Sequence, residues 1–292
     1  MSITILDGSM GQELVRRLGD LNHRMWGIGV MRDNPEIVRT VHDDYFAAGA
    51  EIATTNTYNI HRPYFEGCPF PDEFEKMTRL ACEIACASRD AHGTGIVAGG
   101  IGPMGWSYRP DLGNDIDEAT EVFGEIAEIM GDYVDVILIE TISSPDAARG
   151  AVAGAKAANK PVWLSMTVDD YDGGALRSGD PVETAADLAE ELSVEKLFLN
   201  CSRPEAVTDA IPRLAAATKT PLGAYANGFT HITDTFKGEG KITDLSDRKD
   251  LDPNAYADFA EQWVRDGATI IGGCCEVGPA HIAEVSRRLK GA

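Results

Sequence analysis

One pattern constrains this chain more than any other: short apolar, β-rich runs alternate with amphipathic stretches from end to end. Eight runs, at 3–6, 51–54, 96–98, 136–139, 162–166, 196–199, 222–225 and 269–271, end in polar residues or glycine, as buried parallel strands do. Between them, stretches at 35–48, 72–90, 119–131, 145–158, 183–192, 205–217, 253–266 and 279–289 carry apolar residues at helical spacing. Proline at a first helical turn, behind a capping side chain, marks several expected starts: Asn34-Pro35, Ser144-Pro145, Asp180-Pro181 and Asp252-Pro253. Eight strands alternating with eight helices predict an α/β fold, a parallel sheet closed into a (β/α)8 TIM barrel, with 1–292 as a single domain. An open doubly wound sheet is the competing topology, because alternation alone does not prove closure. No linker, low-complexity tract or internal repeat divides the 292 residues, a usual length for one barrel.

In such a barrel, function sits at the C-terminal ends of the strands. Those ends read Asp7-Gly8-Ser9, Thr55-Asn56-Thr57, Gly99-Gly100, Glu140-Thr141, Thr167, Asn200-Cys201, Asn227-Gly228 and Gly272-Gly273-Cys274-Cys275. Cys201, Cys274 and Cys275 together form a thiolate set that would bind zinc and leave its fourth position open, the arrangement of a catalytic metal. Neighbouring side chains of a strand point to opposite faces, so Cys274 and Cys275 can share an ion only where the chain bends. Gly272-Gly273 is where that bend is expected. Cys201 lies two strands earlier, and alternate strands point side chains into the same barrel layer. Three inert buried cysteines, a vicinal disulfide, or a phosphate cradle at the two glycines are the competing readings. Bulky thiols with no basic residue beside them weigh against the last.

Cys82 and Cys86, four apart among Leu80, Ile84 and Ala85, read as helix packing, and Cys68 falls in a loop. None of the six histidines shows metal-ligand spacing. Six cysteines are too few for a disulfide framework, so a reducing, cytoplasmic location is expected. The net charge of −21 argues against nucleic acid or an anionic membrane as partner. No apolar run approaches the roughly 20 residues of a membrane span, and the first residues lack the features of a signal peptide.

Gly272-Gly273-Cys274-Cys275, with Asn200-Cys201 upstream, is similar to the zinc signature of the homocysteine S-methyltransferase family. Asp7-Gly-Ser-Met-Gly-Gln-Glu-Leu14 resembles the family's opening Asp-Gly-Gly-Met-Gly-Thr-Glu-Leu. Thr55-Asn-Thr-Tyr58, Gly99-Gly-Ile-Gly-Pro103, Glu140-Thr-Ile142 and Gly278-Pro-Ala-His-Ile282 resemble further family blocks, in the same order. The departures touch the substrate rim: Ser9 replaces a usual second glycine, Glu276-Val277 replaces Gly-Thr or Arg-Thr, and Tyr225-Ala-Asn-Gly228 replaces a Tyr-Pro-Asn-Ser-type stretch.

The resemblance implies a (β/α)8 barrel that uses Zn2+ to move a methyl group to the sulfur of homocysteine, giving methionine, as in methionine biosynthesis. It implies that Cys201, Cys274 and Cys275 hold the metal and carry catalysis. By the same resemblance Asp7 and Glu140 hold the homocysteine ammonium, and amides around Gly8 and Ser9 place its carboxylate. The resemblance also makes Asn200 and Asn227 candidates to orient the substrate or the ligands, with turn residues as the competing reading. Trp26, Tyr58, Tyr64, Phe65, Phe70, Trp106 and Tyr108 are candidates for an aromatic cage around a methyl-bearing cation. Because the sequence ends at Ala292, leaving no room for cobalamin or folate domains, the expected donor is a sulfonium, S-methylmethionine or S-adenosylmethionine, with a betaine-like compound next. The alternatives are the methyltransferase component of a corrinoid-dependent system, a zinc-dependent barrel enzyme with another acceptor, and a non-catalytic zinc or redox protein. The expected partners are small molecules, and an oligomer is compatible with the sequence.

Overall fold

The computed structural model describes residues 2–19, 25–238 and 240–291 and, of Trp26 and Thr243, the backbone only. Eight strands, β1 (Thr4–Ile5), β2 (Ile52–Thr54), β3 (Ile96–Ile101), β4 (Val136–Ile142), β5 (Val162–Met166), β6 (Lys196–Asn200), β7 (Leu222–Tyr225) and β8 (Ala268–Ile271), form one parallel sheet in the order β1-β8-β7-β6-β5-β4-β3-β2. The two end strands also meet. Leu6 and Ile52 form a parallel bridge, Asp7 N donates to Ile52 O (3.1 Å), and Glu51 N donates to Ile5 O (2.7 Å). The sheet therefore closes on itself, and the open topology is excluded.

Two apolar layers follow from the period-2 alternation of the strands. The lumen holds Leu6, Ile52, Ala98, Val136, Leu138, Trp163, Phe198, Tyr225 and Ile270. The Phe198 ring lies where a side chain on Gly223 would stand, so β7 approaches it only as glycine. Trp163 and Tyr225 pack on the same ring at 5.5 and 5.7 Å. The lumen is thus filled up to Tyr225, and any cavity must lie above it. The other strand faces pack against surrounding helices that include Pro35–Ala47, Phe74–His92, Ile116–Met130, Pro145–Ala155, Pro204–Ala217, Pro253–Arg265 and Pro279–Lys290.

Two of the four proline starts are capped as the sequence implies: Ser144 accepts from Ala147 N (3.3 Å) and Asp252 from Ala255 N (2.9 Å). The Asn34 side chain makes no cap bond. Asp180-Pro181 opens no helix, because Val168 pairs with Leu176 and Ala175 with Pro181 in a small antiparallel hairpin; the helix begins at Thr184. β3 and β4 run three residues beyond the predicted ends, so Gly99-Gly100 and Glu140-Thr141 are strand residues. The reason is side-chain support: Gly100 N donates to Thr55 Oγ1 (3.1 Å), and Thr141 N donates to Asn200 Oδ1 (3.0 Å). Among the described residues, no helix is long and apolar enough to cross a membrane.

Candidate metal centre and substrate cavity

A cavity of about 610 Å³ opens at the C-terminal end of the barrel, within the usual range for a small-molecule site. Cys201, Cys274 and Cys275 line it, and their sulfurs all lie within 4.8 Å of one another. Tetrahedral zinc with Zn–S bonds near 2.3 Å spaces its sulfurs by about 3.8 Å, so the cluster is the right size for one ion. Cys201 and Cys274 are joined as a disulfide across a Cα separation of 5.7 Å, while Cys275 is a free thiol. The bond thus links the ends of β6 and β8 and is not the vicinal one. Burial first, then the Glu276 charge, pushes the Cys275 thiol up to about 12. Without a cation it stays protonated at neutral pH; a bound metal would displace that proton.

The bend at the cysteine pair has a different origin from the one expected. Gly272 and Gly273 do not adopt positive φ; Glu276 does, at 65°. The glycines are needed for closeness. A Cβ on Gly272 would stand 2.7 Å from Leu6 Cβ and 2.9 Å from Asp7 O, and one on Gly273 would run into Val277. Two side chains of the helix Met10–Leu18 hold Glu276: Gln12 Nε2 donates to Oε1 (2.5 Å) and Arg16 Nη2 to Oε2 (2.8 Å). Cys201 (φ 47°), Tyr108 (64°) and Thr141 (61°) are also left-handed. Each such residue costs on the order of 1–3 kcal/mol, and strain of this kind gathers at functional sites.

Two carboxyl groups complete the floor. Asp7 is 2% exposed; its Oδ2 accepts from Thr54 N (2.6 Å) and its Oδ1 from Thr54 Oγ1 (2.9 Å). Glu140 accepts from Tyr225 Oη (3.2 Å). Burial raises Asp7 to about 7, against the Thr54 hydrogen bonds, and raises Glu140 to about 8 with help from the Asp7 charge. No described cation pairs with either, so the floor lacks a positive charge that a ligand could bring.

The match to the homocysteine S-methyltransferase family model runs over residues 4–289. The chain belongs to this family. It is 30% identical over 309 residues to the homocysteine S-methyltransferase of Escherichia coli (strain K12), covering 98% of this chain and 95% of that one. It is 25% identical to the selenocysteine Se-methyltransferase of Brassica oleracea var. italica, covering 98% and 88%. The metallated form of the homocysteine methyltransferase MmuM from Escherichia coli superposes with a TM-score of 0.82 at 27% identity, over 99% of this chain and 96% of that one; its oxidized form gives 0.81. Methyl transfer to homocysteine is the activity that this membership carries.

Within this homocysteine S-methyltransferase fold, Asp7, Gly8, Ser9, Glu140 and the three cysteines all line the one cavity. Asn200 and Asn227 do not. Asn200 is fully buried behind the wall, accepting from Thr141 N and Ser165 Oγ (2.7 Å) and donating to Thr141 Oγ1 (2.9 Å), so it braces the strained strand that carries Glu140. Asn227 accepts from Phe229 N (3.1 Å) in a turn. The Ser9 amide is already engaged, donating to Val277 O (3.0 Å), whereas Gly8, Met10 and Gly11 also line this corner of the cavity.

Tyr58, Tyr64, Trp106 and Tyr108 line the mouth, whereas Phe65 and Phe70 pack with Phe74 or each other in the shell; the Trp26 side chain lies outside the described residues. Tyr225, which opens the Tyr225-Ala-Asn-Gly228 stretch placed at the substrate rim, lines the cavity, as do Phe236 and His61, which had no sequence signal of their own. His61 is pushed down to about 4 by burial and is neutral, its Nε2 hydrogen-bonded with Gly102 O (3.0 Å). Among the described residues, the metal-sized cluster contains no histidine. Cys82 is buried packing, Cys86 donates to Tyr133 O (3.3 Å), and Cys68 accepts from Phe70 N (3.3 Å).

Proposed function

We propose that the cavity seats homocysteine on its floor, with zinc held by Cys201, Cys274 and Cys275, and receives a small sulfonium or betaine-like methyl donor through its mouth. The observation that carries this reading is the meeting, in one cavity, of three clustered sulfurs and two buried carboxyl groups with no described cation. When bound, zinc supplies the Lewis acidity that keeps a thiol deprotonated at neutral pH. Asp7 and Glu140, once ionised, hold the acceptor's ammonium between them. Amides at the start of Met10–Leu18 suit its carboxylate, since a helix N-terminus carries partial positive charge.

The methyl transfer consumes charge. A bond forms between the acceptor sulfur and the methyl carbon, the donor's S–CH3 or N–CH3 bond breaks, and the donor's electron pair leaves with its heteroatom. The thiolate loses its negative charge as the donor loses its positive one, so a dry surround lowers the barrier. Tyr108, Phe229, Ile232 and Leu245, clustered with Cys201, exclude water here. No proton has to move at the departing group, so no general base is required there.

We read the Cys201–Cys274 disulfide as the oxidised state of the same centre. Two of the three sulfurs cannot serve both bonds, so turnover needs a reductant. The test is methionine formation from homocysteine by reduced, zinc-loaded protein, run in parallel with S-methylmethionine, S-adenosylmethionine, betaine and dimethylsulfoniopropionate. Turnover on a sulfonium or betaine supports the reading; a zinc-loaded protein inert on all four refutes the donor class.

A further inference from the structure

We infer that Arg177, through its buried pair with Asp170, is a positioning residue that holds Cys201 and Tyr108 in place at the metal centre; this rests on the metal reading above. Arg177 Nη2 donates to Asp170 Oδ1 at 2.7 Å, and the two side chains are only 5% and 4% exposed. Among the described ion pairs this is the one with both side chains under a tenth exposed. The same Nη2 lies 3.4 Å from Cys201 O, and the guanidinium sits 4.8 Å from the centre of the Tyr108 ring. Asp170 Oδ2 accepts from Ile232 N at 2.7 Å. One buried pair therefore ties together the segments that follow β3, β5, β6 and β7, and those after β3, β6 and β7 line the cavity.

A stabilising role does not explain the pair. Burying two charges costs as much as or more than their attraction returns, and an apolar pair of similar volume commonly folds at least as well. Arg177 Nε is also buried without a partner, which adds to the cost. What the pair does contact are two residues of left-handed backbone, Tyr108 and Cys201. Such conformations persist only where the surroundings over-determine them. The planar guanidinium can stack on a ring and bond in its own plane at once, which a lysine ammonium cannot do. Cys201 is thereby held at the spacing that lets its sulfur join the other two, with Tyr108 laid across the same corner.

The test uses the full reduced chain. R177M/D170N removes both charges, so no buried charge is stranded, and the amide oxygen that replaces the Asp170 carboxylate can still accept from Ile232 N. The expected result is a thermal midpoint close to wild type, zinc released to a chelator roughly 10–100-fold faster, and kcat/KM for homocysteine lower by a similar factor. R177K is expected to show about a 10-fold effect on both, because the charge stays but the fork is lost. Zinc release and kcat/KM at wild-type values in a folded double variant would overturn the inference. If the double variant does not fold, R177K decides in the same way. A wild-type chain that never retains zinc would overturn this inference and the metal reading together, whereas retained zinc with indifferent variants overturns this inference alone.

Discussion

The floor and the mouth of the cavity are built by opposite means. The floor places Asp7, Glu140, Tyr225 and the three cysteines on or directly after strands of a closed sheet, where ladder hydrogen bonds and the packed lumen fix each position. The mouth is made by loops holding on to loops: Trp106 Nε1 donates to Phe236 O (2.8 Å), Arg109 Nη1 donates to Lys237 O (3.1 Å), and the Trp106 and Phe236 rings meet at 5.7 Å. The difference teaches where specificity can vary. The groups proposed to share one ion and one ammonium are set by the scaffold, while the surroundings proposed for the donor can be rebuilt without disturbing the barrel.

The largest effect should come from breaking the floor. Cys275→Ser, like Cys201→Ser or Cys274→Ser, is expected to abolish both stoichiometric zinc and measurable turnover, read by metal analysis and methionine formation.

Next comes Glu140→Gln, which separates function from stability. Loss of one charged partner should raise KM for homocysteine by about 10–100-fold. Stability should move the other way. Burial lifts Glu140 from 4.5 to about 8, so between those values the folded chain keeps a proton that the unfolded chain has released. The contribution of Glu140 to stability therefore falls as pH rises from about 4.5 to about 8, and Glu140→Gln should be the more stable of the two at pH 8, with the difference gone below pH ~4. In the wild type, acceptor KM should fall as pH rises through about 7 to 8, as Asp7 and Glu140 ionise. A KM that is flat with pH would remove the carboxylates from ammonium binding.

The mouth should respond more mildly and only toward the donor. Trp106→Ala is expected to raise donor KM by about 10-fold and leave homocysteine KM unchanged. An equal effect on both substrates would dissolve the distinction between the two regions. The smallest effect is expected at Glu276. Glu276→Gly relieves a left-handed backbone but loses the bonds to Gln12 and Arg16, so KM for homocysteine should change by less than about 3-fold.

How legible each part was follows the same division. Strand and helix alternation is a local, periodic signal, and it placed all eight strands and the ends that carry Asp7, Glu140, Cys201, Cys274 and Cys275. What local pattern could not carry was contact between distant loops. Phe236 at the mouth and the Arg177–Asp170 pair depend on neighbours far apart in the chain. Asn200 shows the finer limit. It stands at a strand end next to a cysteine, yet its side chain turns to the Thr141 backbone and not to the cavity. Period two tells which face a residue shares but not whether a strained neighbour has claimed its hydrogen bonds.

The most direct test of the account is the metal content of the freshly reduced chain, paired with turnover before and after chelation. The account predicts about one zinc per chain, held by three cysteines, with methionine formation lost on removing the metal and restored on returning it. Undiminished methyl transfer to homocysteine by metal-free, reduced protein would contradict it.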